Sequence, residues 1–236
     1  MMQFISNSIE TSCPEADIYN RLFDYSGKNI LELGCGAAAL TRAIAEAHPD
    51  CHIDALEVDE IQHGKNIQIR DLPNVSFVLA GAQAIPADDD SYDIVFMFKS
   101  LHHVPMEFME KALLEIKRVL KPGGMAYISE PVYAGEFNDL MCLFHDEKVV
   151  REHAFATLEK AIQAGHFELK EEIFFNSPVH FADFKQFETE VLGATFNNHQ
   201  LDEQTHDRVR EKFSLNMRAS GADFKLPIRV DLLQVS

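Results

Sequence analysis

The residues with the clearest chemical potential lie between positions 32 and 57. Gly34-Cys35-Gly36 directly follows a short apolar run, Asn29 to Leu33, and precedes an alanine-rich segment. A glycine pair between a strand and a helix lets the backbone approach a ligand closely. Glu32 stands two residues before the first of these glycines. A carboxylate there would repel a pyrophosphate, whose charges need N–H donors and a helix N-terminus. It suits a ligand that presents a cation, such as an ammonium or a sulfonium. Glu57 ends the next apolar run, 21 residues beyond Gly36. An acid about 20 residues after such a loop binds ribose hydroxyls in nucleotide-binding folds of this kind.

The elements that must position these residues follow a regular beat from Asn29 to Glu130. Asn29–Leu33, Cys51–Glu57, Val75–Ala80, Asp93–Phe98 and Met125–Ser129 read as buried strands. Helices are expected over Ala37–His48, where Pro49 stops the run, over Glu60–Arg70, and over Pro105–Leu120. The last of these places Phe108, Ala112, Leu113, Ile116 and Leu120 on one face. Lys121-Pro122-Gly123-Gly124 reads as a turn. Strands alternating with helices imply an α/β fold, doubly wound, with a mostly parallel seven-stranded sheet and helices on both faces. Beyond Glu130 the beat breaks: residues 135–164 and Asp183–Arg218 read as helical, with strands over Phe167–Phe175 and Leu226–Val235. The expected organisation is one domain: an N-terminal helical lid (1–28), a ligand-binding half (29–130), and a second half with helical insertions (131–236).

Composition narrows the partners. The net charge of −17 disfavours nucleic acid, because such binding depends on Lys and Arg displacing counterions. Without a long apolar run or a signal-like start, the chain is expected to be cytoplasmic and to cross no membrane. The four cysteines, at 13, 35, 51 and 142, show no CxxC spacing, and the eleven histidines show no HExxH pair, so neither a disulfide framework nor a metal site is expected.

From residue 28 to residue 130 the chain resembles the class I, Rossmann-like S-adenosylmethionine-dependent methyltransferases, particularly their small-molecule group. LELGCG is similar to the family's first motif, Glu57-Val58 to its second-strand acid and the apolar neighbour that packs on adenine, YDIVFMFKSLHHV to its fourth-strand segment, and LKPGG to the turn before its fifth strand. The resemblance implies S-adenosylmethionine as cofactor. Glu32 would hold the methionine ammonium, Gly34, Cys35 and Gly36 would line the methionine, and Glu57 would bind the ribose hydroxyls. Val58, Ala82 and Gln83 would surround the adenine, and Phe98 would present backbone to the methionine end. Two positions depart from the family pattern. Ala38 stands where a third glycine is common, which is tolerable at negative φ. Gly81 stands where an Asp often accepts from the adenine amine, so that Gln83, or backbone and packing, would have to hold the base.

Methyl transfer from a sulfonium is an in-line displacement, so the protein mainly aligns nucleophile and methyl and excludes water. A hydroxyl or carbon acceptor also calls for a general base. Candidates at the expected strand ends are Lys99, His102, His103, Glu130 and Tyr133, with Lys99 also a possible contact for an anionic acceptor. Aromatic residues in the flanking segments, among them Tyr19, Phe23, Phe137, Phe155 and Phe181, would make a lid for a planar or apolar small molecule, unless they are core. Two other functions compete: a nicotinamide-dependent oxidoreductase, and a non-catalytic module of the same fold that binds cofactor or partner.

Overall fold

Side chains along the central strands alternate between two cores. On the strand containing Tyr92–Phe98, Ile94, Phe96 and Phe98 point to one apolar cluster, and Val95 and Met97 to the other. This is the period of two expected for a sheet covered on both faces. The computed structural model describes residues 2–5, 9–193 and 201–235. In chain order come α1 (Glu15–Leu22), β1 (Asn29–Leu33), α2 (Ala39–Ala47), β2 (His52–Glu57), α3 (Glu60–Asn66), β3 (Val75–Leu79) and β4 (Tyr92–Phe98). A 3-10 turn, Leu101–His103, leads to α4 (Met106–Val119) and β5 (Leu120–Pro131). There follow α5 (Glu136–Met141), α6 (Lys148–Gln163), β6 (Glu168–Phe181), α7 (Phe184–Phe187), a π-helical segment Glu188–Leu192, α8 (Glu203–Ser214), β7 (Met217–Arg218) and β8 (Gly221–Gln234).

Seven strands lie on the main path of the sheet, in the order β3-β2-β1-β4-β5-β8-β6, and the two-residue β7 pairs with β8 off that path. The pairs among β1 to β5 are parallel, and β8 is antiparallel to both β5 and β6. The strand order reverses between β1 and β4. Ligands of open α/β sheets bind at such a switch point, outside the carboxyl ends of the strands. One core packs α4 and α6 on the sheet through Met109, Leu113, Ile116 and Leu158; the other packs α1 and α2 through Ile18, Tyr19 and Ile44.

Several elements differ from the reading of the sequence. Lys121-Pro122-Gly123-Gly124 is not a free turn but part of β5, as a bulge between the pairs Tyr92/Leu120 and Ile94/Met125. Gly123 takes φ +77° there, which glycine adopts without strain. Phe108 is 41% exposed, and Met109 takes the core position on α4 instead. The helices after β5 are two, α5 and α6, rather than one. Helix is found on either side of residues 194–200, which lie outside the described residues. Among the described residues the N-terminal segment contributes one helix, the eight-residue α1, and before it Ser12 pairs with Asn176 of β6.

The final hairpin is longer than the sequence suggested. β6 and β8 each run 14 residues, and their Phe181/Ala222 end projects past Pro131, where the pairing with β5 stops. On this projection Phe181 and Phe224 gather Phe187, Phe213 and Leu140 from the added helices into a third apolar cluster. Phe137, Phe144 and Phe184 pack against it, so these aromatic residues are core to a roof rather than a free lid. Tyr19, Phe23 and Tyr25 likewise pack on Phe96. No helix among the described residues is long and apolar enough to cross a membrane.

Candidate functional site

The loop after β1 is built for close approach. Gly34 has φ +75° and Gly36 φ +53°. A Cβ at Gly34 would lie 2.9 Å from the Ser100 Cβ, so the position tolerates no side chain. The Gly34 and Cys35 amides both donate to the Leu56 carbonyl, at 2.9 Å each, which ties the loop to the end of β2. Ala38 closes the loop with φ +59° and ψ +30°, not the negative φ that an alanine prefers. The departure from a third glycine therefore carries a strain of about 1 kcal/mol.

Three acids and an amide organise this loop. Glu32 is buried and accepts a hydrogen bond from the Thr41 hydroxyl of α2 at 2.5 Å. Burial pushes its pKa up to about 7, against the lowering effects of Thr41 and Lys99. Glu57 at the end of β2 accepts the Gly36 amide through Oε2 at 2.8 Å, and the Val58 and Asp59 amides through Oε1 at 2.8 and 2.9 Å. Asp59 caps α3 by accepting the Ile61 and Gln62 amides. Asn66, 1% exposed at the end of α3, donates to the Gly36 carbonyl at 2.7 Å and to Cys35 Sγ at 3.5 Å.

Beside β3 the adenine-side candidates are open or poised. Val58 is 65% exposed at the tip of β2, whereas Ala82 is buried. The Gln83 amide folds over Gly81: its Oε1 lies 2.5 Å from where a Gly81 Cβ would be. That amide occupies the space an aspartate at position 81 would need. Phe98 ends β4, its ring stacked on Phe96 with centroids 4.9 Å apart.

The candidates after β4 and β5 have partners the sequence did not show. Lys99 adopts φ +54°, and its Nζ donates to Glu15 of α1 at 2.5 Å. Its charge is paired with Glu15, which is buried and also accepts from Tyr127 at 3.3 Å. His102 Nδ1 meets Glu130 Oε2 at 2.5 Å, and its Nε2 lies 3.6 Å from Glu147 Oε1. Burial alone would lower the His102 pKa, but the two carboxylates outweigh it and raise it to about 9. Glu130 also accepts the Leu101 amide, at 3.0 Å. Both members of this pair are buried, so Glu130 is a partner of His102 rather than a residue open to an acceptor. His103 is solvent-facing, with its ring centroid 4.0 Å from that of His102. Tyr133 donates to Asp146 at 3.0 Å and accepts from the Cys142 thiol at 3.3 Å.

Residues 30–124 match the family model of a methyltransferase domain. This segment of the chain carries a methyltransferase domain. Methyltransferase GfsG of Streptomyces halstedii is 32% identical over 131 residues, covering 52% of this chain and 45% of that protein. The phthiotriol/phenolphthiotriol dimycocerosates methyltransferase of Mycobacterium leprae is 26% identical over 230 residues, covering 92% of this chain and 68% of its own length. The crystal structure of YcgJ from Bacillus subtilis has the same fold, with a TM-score of 0.65 at 18% identity over 94% of this chain and 97% of that one. The chain spans between 38% and 51% of the length of the first curated relatives it matches.

Within this methyltransferase domain the geometry brings Glu32, Gly34, Cys35, Gly36 and Glu57 together at the switch point. Three supporting residues were not among the sequence candidates: Thr41, Asn66 and Ser100. Thr41 carries a readable signal, since it opens α2 on the turn above Glu32. Asn66 had none, since its contacts with Cys35 and Gly36 join positions about 30 residues apart. Ser100 had none; its hydroxyl donates to the Leu33 carbonyl at 2.7 Å only because β4 lies beside β1.

Proposed function

We propose that this chain transfers the methyl group of S-adenosylmethionine to a small organic acceptor. The observation that carries the reading is the pairing of a buried cation-seeking carboxylate, Glu32, with Glu57 at the neighbouring strand tip, across a glycine loop that admits no side chain at Gly34. In this reading Glu32 holds the methionine ammonium and the loop from Gly34 to Gly36 lines the methionine. Glu57 takes the ribose hydroxyls on the lone pairs its three amide contacts leave open. Val58 packs on the adenine face, Ala82 and Gln83 border it, and the Gln83 amide oxygen stands in for the missing aspartate. Phe98 presents its backbone to the methionine end.

The bound sulfonium supplies an already activated methyl, so the chain's own task is alignment and exclusion of water. His102 and Glu130 engage each other and are not a free proton acceptor, which makes alignment the main contribution of the protein. A small acceptor is supported by the net charge of −17, which opposes nucleic acid, and by the name of the M. leprae relative, which specifies phthiotriol and phenolphthiotriol compounds. A dinucleotide is disfavoured because Glu32 would stand against its pyrophosphate.

The test is a transfer assay with methyl-labelled S-adenosylmethionine and a panel of phenols, thiols, amines and hydroxylated lipids. Acceptor-dependent release of S-adenosylhomocysteine is expected. Tight cofactor binding with no transfer to any acceptor would favour the non-catalytic module instead.

A further inference from the structure

His102, His103 and Glu147 each offer a ligand atom, and these atoms lie within 4.8 Å of one another. The arrangement has features of a built metal centre beyond proximity. Glu130 holds His102 Nδ1 at 2.5 Å, which directs Nε2 toward Glu147 Oε1 at 3.6 Å. Two ligand atoms of a tetrahedral zinc ion sit about 3.3 Å apart, close to that separation. A carboxylate on the far nitrogen is the usual support of a metal-binding histidine. Arg151 fixes the other oxygen of Glu147 at 2.6 Å and is itself held by Asn138 at 3.0 Å, which leaves Oε1 as the ligand atom. His103 faces solvent and can turn toward the ion, and His145 Nε2 meets the same Glu147 oxygen at 2.8 Å, which helps to hold it in place.

We propose that His102, His103 and Glu147 bind one divalent transition-metal ion, of the zinc or cobalt class, at the carboxyl ends of β4 and β5. Nitrogen and carboxylate donors suit such ions. Spacing in the sequence did not reveal the site because its ligands come from the turn after β4 and the start of α6, which only the fold brings together. Three protein ligands leave a coordination position for water or for an oxygen atom of an acceptor.

Untagged protein freed of metal by chelation is titrated with Co2+, followed by visible absorption, and then with Zn2+. One Co2+ per chain should bind with the d–d bands of a tetrahedral or five-coordinate site, and Zn2+ should displace it. His103→Ala, at a solvent-facing position, should keep the far-UV spectrum and thermal midpoint yet weaken Co2+ binding at least about tenfold. Glu130→Gln should weaken it about 10–100-fold through loss of the supporting carboxylate. Failure of the wild-type protein to bind Co2+, or equal binding by folded His103→Ala, would overturn the site.

Discussion

Gly36 donates its amide to one oxygen of Glu57 at 2.8 Å, so the loop after β1 and the tip of β2 form one rigid unit. The same carboxylate holds the Val58 and Asp59 amides through its other oxygen. Replacing it removes charged hydrogen bonds, each worth about 1.5–3 kcal/mol, and any bond to ribose. Glu57→Ala should weaken S-adenosylhomocysteine binding by about tenfold to a hundredfold, measured by calorimetry. Asn66→Ala, which frees the Gly36 carbonyl from the opposite side, should weaken it less.

Glu32 sets a pH dependence. Its folded pKa of about 7 lies above its ordinary 4.5 because burial disfavours the ionised form. A raised carboxyl stabilises the fold while it is protonated in the native state. Its contribution is fully present below about pH 4.5 and is lost as the pH rises toward 7. The loss is on the order of 3 kcal/mol. The difference in stability between wild type and Glu32→Gln, from urea titrations at several pH values, should change across this window and be flat above it. A bound ammonium favours the ionised form, so affinity for S-adenosylhomocysteine should rise from pH 6 to pH 8 in wild type and far less in Glu32→Gln.

Much of this site was legible in the sequence because local rules governed it. The glycine loop, Glu32 and Glu57 sit at the ends of strands whose apolar runs are continuous, as strands buried on both faces must be. The hairpin of β6 and β8 was less legible because its buried face carries charge. Arg229 and Asp231 point inward at 3% and 0% exposure and pair with each other at 2.9 Å, two charges in a buried strand. Burial pushes the Asp231 pKa up to about 6, against the effect of Arg229. The pairing of Lys99 with Glu15 joins positions 84 apart and follows no local rule.

Ala38 offers a stabilising substitution. At φ +59° an alanine carries a left-handed strain that glycine does not. Ala38→Gly should stabilise the protein by about 0.5–1 kcal/mol, less than the full strain because glycine also frees the unfolded chain. The thermal midpoint should rise by about 1–4 °C.

Lys99 and Glu15 tie α1 to the end of β4. Removing Lys99 leaves a buried carboxylate without its cation. Lys99 is 33% exposed, so solvent offsets part of that cost. Lys99→Met should destabilise by about 1–3 kcal/mol. Adding Glu15→Gln should recover part of the loss, because the uncompensated charge disappears. A denaturant double-mutant cycle measures the coupling.

The central claim is that the loop between β1 and α2, with its two flanking glutamates, is an S-adenosylmethionine site. Calorimetric titration of the purified protein with S-adenosylhomocysteine, and separately with NADH, tests it most directly. The account predicts one S-adenosylhomocysteine site per chain with micromolar affinity, no NADH binding, and a large loss of the first in Glu57→Ala. Failure to bind S-adenosylhomocysteine, or binding that Glu57→Ala leaves unchanged, would contradict it.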